Sequence, residues 1–148
     1  PTQDLRELLV DAGWVDLNNA EARLSVNGVT VHARGTNDAH IHLDDYASVA
    51  GSFDTGALAL GVTHSPYSRI TSALASDGAD LVLAGHTHGG QFFPFSVMVR
   101  LKHRQYKGLY RVGELWLYVS RGTGYWGPPL RFGVPSEITL LRLTRAVA

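Results

Sequence analysis

The sequence predicts an α/β fold with a mixed sheet, in which parallel strands are joined by antiparallel strands towards the C-terminus. Two continuous apolar runs, residues 57–62 and Leu81–Ala84, are typical of strands buried on both faces. A helical pattern over Ser68–Ser76 separates the two runs, and Gly113 divides two later β-like segments. A strand, a helix and a strand in this order normally form two parallel strands of one sheet.

Local signals predict the remaining elements. Residues 4–12 have the pattern of a short helix, with leucines at helical spacing and Gly13 at its end. The pair Asn27-Gly28 predicts a tight hairpin between residues 22–26 and 29–33. We further expect a loop over 35–45, a short helix over 45–50, hairpin strands over 106–112 and 114–120, a loop over 121–135, and a final strand over 137–143.

The composition is that of an ordinary globular protein with one domain or part of one. The chain has 148 residues, of which 45% are hydrophobic and 18% are charged. Thirteen basic residues balance thirteen acidic ones, so no nucleic-acid partner is predicted. Cysteine is absent, which excludes disulfides and thiolate metal sites. The chain starts at Pro1, and we therefore expect a processed or truncated product. The sequence is compatible with a cytoplasmic, a membrane-associated or an exported protein.

Three of the seven histidines follow the two buried strands directly. His64 comes after the first run, and His86 and His88 come after the second, with Gly85 before them and glycines behind them. Because parallel strands end at the same edge of a sheet, we expect the three imidazoles to meet there. The flanking glycines free the backbone for tight turns. Imidazole suits zinc, manganese and iron alike, so the pattern predicts a metal site without choosing the metal.

The segment from residue 81 to Gln91, which ends in Gly-His-Thr-His-Gly-Gly-Gln, resembles the signature of calcineurin-like metallophosphoesterases. It is similar in particular to a bacterial branch of predicted phosphohydrolases with membrane-anchored and exported members. Further segments extend the resemblance over about residues 55–143. They are Val-Thr-His-Ser-Pro at 62–66, Tyr-Lys-Gly-Leu-Tyr at 106–110, Ser-Arg-Gly-Thr-Gly at 120–124, Pro-Leu-Arg-Phe at 129–132 and Pro-Ser-Glu-Ile at 135–138.

The resemblance implies a metallophosphoesterase α/β sandwich, in which two β-sheets are flanked by helices. It also implies hydrolysis of phosphomonoesters or phosphodiesters at a dinuclear metal site. The two divalent ions would be manganese, iron or zinc, with His64 and His86 on one ion and His88 on the other. Such a pair of ions polarises the phosphoryl oxygens and stabilises the leaving oxygen.

The sequence departs from the family pattern upstream of His64. The family also has Asp-x-His, Gly-Asp-x-x-Asp and Gly-Asn-His motifs, and neither Gly-Asp nor Gly-Asn-His occurs here. Residues 38–40 spell Asp-x-His, but only 23 residues separate His40 from His64, which leaves no room for the other motifs. We therefore expect residues 1–148 to be the C-terminal portion of a single domain whose N-terminal half is absent. That half is an expected partner, and the fragment alone is expected to be inactive.

The other histidines carry weaker signals. Asp38, His40 and His42 are predicted to lie in a loop, and lining of the pocket is the alternative. The His-x-His spacing of His40 and His42 also resembles an amidohydrolase motif, but no buried strand leads into it. His32 and His103 have no partner pattern and are predicted to lie at the surface.

Candidate substrate-binding residues flank or lie in the loop rich in Gly and Pro. Arg121 and Arg131 can clamp a phosphate by paired hydrogen bonds, and Tyr125 can cover a substrate. Structural pairing of both arginines is the alternative. The apolar stretch 92–99 either packs in the core or forms a hydrophobic rim for a lipid-like phosphoester or a membrane surface. The basic residues at 100–107 form a solvated face or contact anionic headgroups.

Two other functions remain open on the sequence alone. A mononuclear zinc hydrolase would use His64, His86 and His88 as a three-histidine site with an open water position. A non-catalytic domain that binds a metal or a protein partner would need no further ligands. Two metal ions per active site would exclude the mononuclear enzyme.

Overall fold

The computed structural model describes the backbone of residues 2–144 and the side chains of residues 5–144. The helices are α1 (Thr2–Asp11), α2 (Ser68–Ser76) and α3 (Phe95–Lys102). The strands are β1 (Ala20–Val26), β2 (Val29–Thr36), β3 (Leu58–Thr63), β4 (Leu81–Ala84), β5 (Gly108–Val112) and β6 (Leu115–Val119). Single 3-10 turns lie at Tyr46–Ser48 and His88–Gly90.

The six strands form one mixed sheet in the order β1-β2-β3-β4-β6-β5. Strands β2, β3, β4 and β6 are parallel, and the hairpins β1-β2 and β5-β6 add an antiparallel strand at each edge. The predicted α/β class is therefore confirmed, as is the parallel pairing of the two apolar runs. Within residues 2–144 there is one of the two sheets that the resemblance implies, as expected of half a metallophosphoesterase fold.

The core lies between α2 and the middle of the sheet. Ile70 and Leu74 on α2 are buried with Val82 on β4 and with Leu117 on β6. Gly61 allows this close packing, since a Cβ there would lie 2.7 Å from Val82 Cγ2 and 3.0 Å from Leu74 Cδ1. The helix that joins β3 to β4 is thereby held against the two strands that lead into the histidines.

Strand β2 contains a buried polar cluster that the sequence did not predict. His32 is 1% exposed, so its predicted surface position is wrong. Its Nε2 lies 3.1 Å from a carboxylate oxygen of Glu21, and its Nδ1 accepts a hydrogen bond from the backbone N–H of Asp54. Arg34 is 2% exposed and donates to Asp77 at 3.0 Å. These partners come from distant parts of the chain, and no periodic pattern marks them.

Two element predictions differ from the structure. Residues 137–143 have no regular strand pairing among the described residues, so the predicted final strand is wrong. Helix α3 forms within an apolar and basic stretch for which no helix was predicted, and none of its residues is buried. Of the described helices, none combines the length and apolar character needed to cross a membrane.

Candidate metal-binding site

The carboxyl ends of the parallel strands bring chemically active side chains to one edge of the sheet. Thr63 of β3 pairs with Ala84 of β4 in register, and the backbone N–H of Gly85 donates to the carbonyl of His64 at 2.9 Å. The last residues of β2 and β3 pair likewise, which places residues 38–40 beside His64. This edge is where open α/β sheets bind ligands.

His64 and His86 are in direct contact at this edge. The Nε2 atom of His64 lies 3.1 Å from Nδ1 of His86. Two imidazole nitrogens on one tetrahedral ion, each about 2.05 Å from it, are separated by about 3.3 Å. The observed separation is that of a hydrogen bond between the two rings, and it is also close to the separation of two ligands on a common ion. Among the side chains of residues 5–144, however, no three histidine, aspartate or glutamate groups are arranged to hold a metal ion.

The histidine loop is held in an unusual backbone conformation. His86 and His88 have φ angles of 68° and 49°, and Gln91 has 53°, in the left-handed region that non-glycine residues seldom adopt. Such conformations cost of order 1–3 kcal/mol each and cluster at functional sites. The sequence suggested that glycine would supply this freedom. Gly89 and Gly90 do have positive φ angles, but the two histidines have them as well.

His88 lines the same cavity as the other two histidines but faces a different neighbour. Its Nδ1 lies 3.3 Å from Nη2 of Arg131, which has only protons to donate. The neutral His88 ring therefore carries its own proton on Nε2 in this arrangement. Binding of a cation through Nε2 would require Arg131 to shift and the ring proton to move to Nδ1.

Burial keeps His86 neutral. Desolvation, followed by the nearby charges of His64 and His40, lowers the pKa of His86 to about 4. The pKa of His88 is also lowered, first by burial and then by the guanidinium of Arg131. Neutral imidazole is the form that binds metals. Because both rings are already neutral near pH 7, a cation would not have to compete with an imidazolium proton.

Two further histidines line this cavity: His103, which sequence reasoning missed, and His40, for which lining of the pocket was only the alternative. His103 is 7% exposed, which makes its predicted surface position wrong, and its ring centroid lies 5.9 Å from that of His86. His40 lies in a loop as predicted, but its ring is 4.9 Å from His86 and its Nδ1 is 3.0 Å from the hydroxyl of Tyr67. Asp38 also comes close, with Oδ2 3.8 Å from Nε2 of His64. The register of β2 beside β3 is the signal that places residues 38–40 here.

The predicted substrate-binding residues have different surroundings. Arg121 is paired with Glu137, to which its Nε donates at 2.6 Å. Arg131 reaches the site and contacts His88, and it also donates to the carbonyl of Arg121 at 2.8 Å. Tyr125 is 59% exposed and does not line the cavity, whereas its neighbour Trp126 does.

The cavity that contains the histidines has a volume of about 640 Å³. Imidazoles form one part of its wall, and apolar side chains of residues 92–99 form another, together with Trp126. Gln91, which is 2% exposed, fixes this second part in place. Its Nε2 donates to the carbonyl of Trp126 at 2.8 Å, and its Oε1 accepts from the N–H of Trp126 at 2.6 Å.

Comparison with known proteins gives several relatives. The chain is 43% identical over 107 residues to an uncharacterised metallophosphoesterase of Campylobacter jejuni, covering 72% of this chain and 28% of that protein. It is 53% identical over 83 residues to an uncharacterised metallophosphoesterase of Helicobacter pylori, covering 55% of this chain and 22% of that protein. It is also 32% identical over 163 aligned positions to the Bos taurus transmembrane protein with metallophosphoesterase domain, covering 94% of this chain and 34% of that protein.

No protein-family model and no solved structure matches the chain. The chain spans between about a fifth and a third of the length of the three relatives described above. The identities of 43% and 53% are to proteins named as metallophosphoesterases and fall on the C-terminal portion. They agree with the histidine motif and with the α/β fold of this sheet. The chain therefore belongs to the calcineurin-like metallophosphoesterase superfamily.

Proposed function

We propose that this chain supplies the C-terminal half of the active site of a phosphoester hydrolase that uses two divalent metal ions. The observation that carries the proposal is the 3.1 Å separation of His64 Nε2 and His86 Nδ1 at the carboxyl edge of the parallel strands. His88 lines the same cavity and is the proposed ligand of the second ion. Manganese, iron and zinc all suit these imidazoles.

The chain's own residues would bind the ions, shape the cavity and orient the phosphate. Bound divalent ions would supply Lewis-acid polarisation of the phosphoryl oxygens. Arg131 contacts the ring of His88 and is therefore the better placed of the two arginines to approach a phosphate. Arg121 remains a candidate that would first have to leave Glu137. Tyr125 would have to turn inward to reach a substrate, whereas Trp126 already lines the cavity.

Carboxylate ligands from a longer protein are part of the proposal. Three neutral imidazoles leave a pair of divalent ions with uncompensated charge and incomplete coordination. The relatives are three to five times longer than the matched segment, which leaves room for such ligands upstream. We therefore propose that residues 1–148 are the C-terminal portion of one metallophosphoesterase domain, that its N-terminal half is the partner, and that the segment alone does not turn over substrate.

The test is a histidine substitution in the intact gene product. His86→Asn should lower the hydrolysis of 4-nitrophenyl phosphate or bis(4-nitrophenyl) phosphate with Mn²⁺ by about 100-fold or more, as expected when a metal ligand is lost. His42→Asn is the matched control, because His42 has a similar φ angle of 58° and lies outside the cavity. The control should retain activity within about twofold. Equal activity of the His86 variant and the native protein would refute the proposal.

Metal content separates the alternatives. Two ions per intact protein would exclude a mononuclear three-histidine zinc hydrolase. Metal binding without hydrolysis of either ester would instead favour a non-catalytic metal- or partner-binding domain.

Membrane proximity is a further proposal, supported by the relative from Bos taurus that is named a transmembrane protein.

A further inference from the structure

Helix α3 presents an apolar stripe to the histidine cavity instead of to the core. The stripe consists of Phe95, Met98 and Val99, spaced at i, i+3 and i+4, and all three line the cavity. None of the residues of α3 is buried. An amphipathic helix normally packs its apolar face against the core, so this stripe has a different use from the apolar faces elsewhere in the fold.

Aromatic rings continue the apolar surface beyond α3. Phe92 stacks on Phe95 with ring centroids 5.7 Å apart, and Phe95 stacks on Trp126 at 6.1 Å with an interplanar angle of 13°. Two hydrogen bonds between the Gln91 amide and the backbone of Trp126 position this residue for the stack: Gln91 Nε2 donates to the Trp126 carbonyl, and Gln91 Oε1 accepts from the Trp126 N–H. The backbone of Trp126 is thus held in place without a ligand, which lowers the entropy cost of binding one.

Imidazoles and the apolar wall face one cavity, and this combination indicates the class of substrate. The imidazoles of His64 and His86 are the proposed metal ligands. The ions that they would hold would bind the phosphate of an ester. The cation of Lys102 lines the same cavity and adds to the attraction for an anion. A purely polar phosphoester would leave the aromatic and aliphatic wall in contact with water, whereas an ester with an apolar chain would cover it.

We infer that the substrate is an amphiphilic phosphoester whose hydrocarbon chain lies along Phe95, Met98 and Trp126 while its phosphate lies at the histidines. This inference rests on the proposed hydrolase function and adds the substrate class. Hydrolysis breaks one P–O ester bond, the oxygen of water joins the phosphorus, and the released alcohol takes a proton from that water. The hydrocarbon chain of the substrate undergoes no chemistry and contributes only to binding.

The test compares chain lengths in the intact gene product with Mn²⁺. The substrates are methyl, butyl and octyl esters, as alkyl 4-nitrophenyl phosphates or as alkyl phosphates according to the ester class that the protein cleaves, all below their micelle concentrations. Each buried methylene is worth about fourfold in affinity, so burial of only about two of the added methylenes should raise kcat/KM by about tenfold or more from methyl to octyl.

Two matched variants test whether the hydrocarbon chain of the substrate lies along α3. Met98→Gln should lower kcat/KM for the octyl ester by about fivefold and for the methyl ester by less than twofold, because Met98 lines the cavity. Leu101→Gln lies on the same helix, 81% exposed and outside the cavity, and should leave both values within about twofold.

Different failures have different meanings. Absence of hydrolysis for every ester would overturn the hydrolase proposal and this inference together. Hydrolysis with equal kcat/KM for methyl and octyl esters would overturn the substrate class alone. Equal losses in the two variants would also overturn it, since they would indicate contact of the whole helix with a membrane or micelle surface.

Discussion

At the scale of single residues, the site depends on side chains whose partners hold them in one orientation. Gln91 is the clearest case, because both ends of its amide bond the backbone around Trp126. Glu137 is a second case. It accepts hydrogen bonds from the backbone N–H of Arg121 at 3.0 Å and from the hydroxyl of Tyr118 at 2.7 Å. The segment that leads from β6 to Arg131 is thereby tied to residue 137.

Glu137 makes stability depend on pH. Burial by itself would raise its pKa, but hydrogen bonds from Tyr118 and Arg121 outweigh burial and lower the pKa to about 2. Because the folded pKa is below the ordinary value of 4.5, the stabilisation is complete above pH 4.5 and is lost as the pH falls towards 2. We expect Glu137→Gln to lower the free energy of unfolding by about 1 kcal/mol at pH 7 and by less at pH 3.

Urea unfolding of the intact protein at both pH values measures this difference. Glu114→Gln is the control, since Glu114 has a fully exposed side chain in a surface ion pair with Arg111. It should change the unfolding free energy by less than about 0.5 kcal/mol at either pH. A pH-independent effect at residue 137 would contradict the assignment of the shift to ionisation.

The sequence predicted residues at this edge unevenly. His64, His86 and His88 could be placed because each follows a buried strand whose direction the strand–helix–strand order fixes. His103 and His32 could not, since their burial arises from contacts with distant segments. His40 was assigned to a loop correctly, but its proximity to His86 depends on the pairing of β2 with β3, which no local signal carries.

At the scale of elements, Gly90 determines how closely the histidine loop approaches α3. It has a φ angle of 83°, and a Cβ there would lie 2.4 Å from the Cα of Ser96. The glycine therefore satisfies two demands, a left-handed backbone and contact with the first turn of α3. Since α3 carries the apolar wall, this contact sets the distance between that wall and the histidines.

Substitution of Gly90 tests this contact. Gly90→Ala should destabilise the intact protein by about 3 kcal/mol, since backbone strain and overpacking both contribute. Gly108→Ala is the matched control, because Gly108 has a φ angle of 89° and open space where the Cβ would lie. It should cost only about 1 kcal/mol, from backbone strain alone. Equal midpoints for the two variants in urea unfolding would show that the contact with Ser96 is unimportant.

Elements with a clear apolar pattern were predicted well, and those without one were not. Strand β4 and helix α2 have the predicted bounds, because a continuous apolar run and a clean helical stripe specify them. Helix α3 was missed because its exposed Val97 and Leu101 obscure the helical period. Residues 137–143 alternate like a strand, yet no partner strand pairs with them within residues 2–144.

At the scale of the whole molecule, exposed apolar side chains lie near both ends of the described chain. Leu5 and Leu8 on α1 are 59% and 65% exposed, and Ile138 and Leu140 are more than 90% exposed. Large apolar patches in contact with water often mark surfaces that bind another part of a protein. An N-terminal half of the same domain would cover these surfaces and also provide the carboxylate ligands that the proposed function needs.

Metal affinity tests whether part of the metal site lies outside residues 1–148. Residues 1–148 should bind Zn²⁺ or Mn²⁺ at least about 100-fold more weakly than the intact gene product, because most of the proposed ligands would lie outside the segment. Competition with a chelating dye measures both affinities. His86→Asn in the segment is the control for specific binding and should remove what affinity remains. Equal affinities of the segment and the intact protein would contradict the division of the site.

The segment after Glu137, whose sequence alternates like a strand, has a practical consequence for anyone who prepares this chain by itself. Its backbone N–H and C=O groups have no sheet partner within residues 2–144, and Ile138 and Leu140 are in contact with solvent. Unpaired, apolar β-like segments are templates for intermolecular pairing. Concentrated samples of the isolated polypeptide will therefore tend to self-associate, and co-expression with the proposed N-terminal half is the sounder route to crystals.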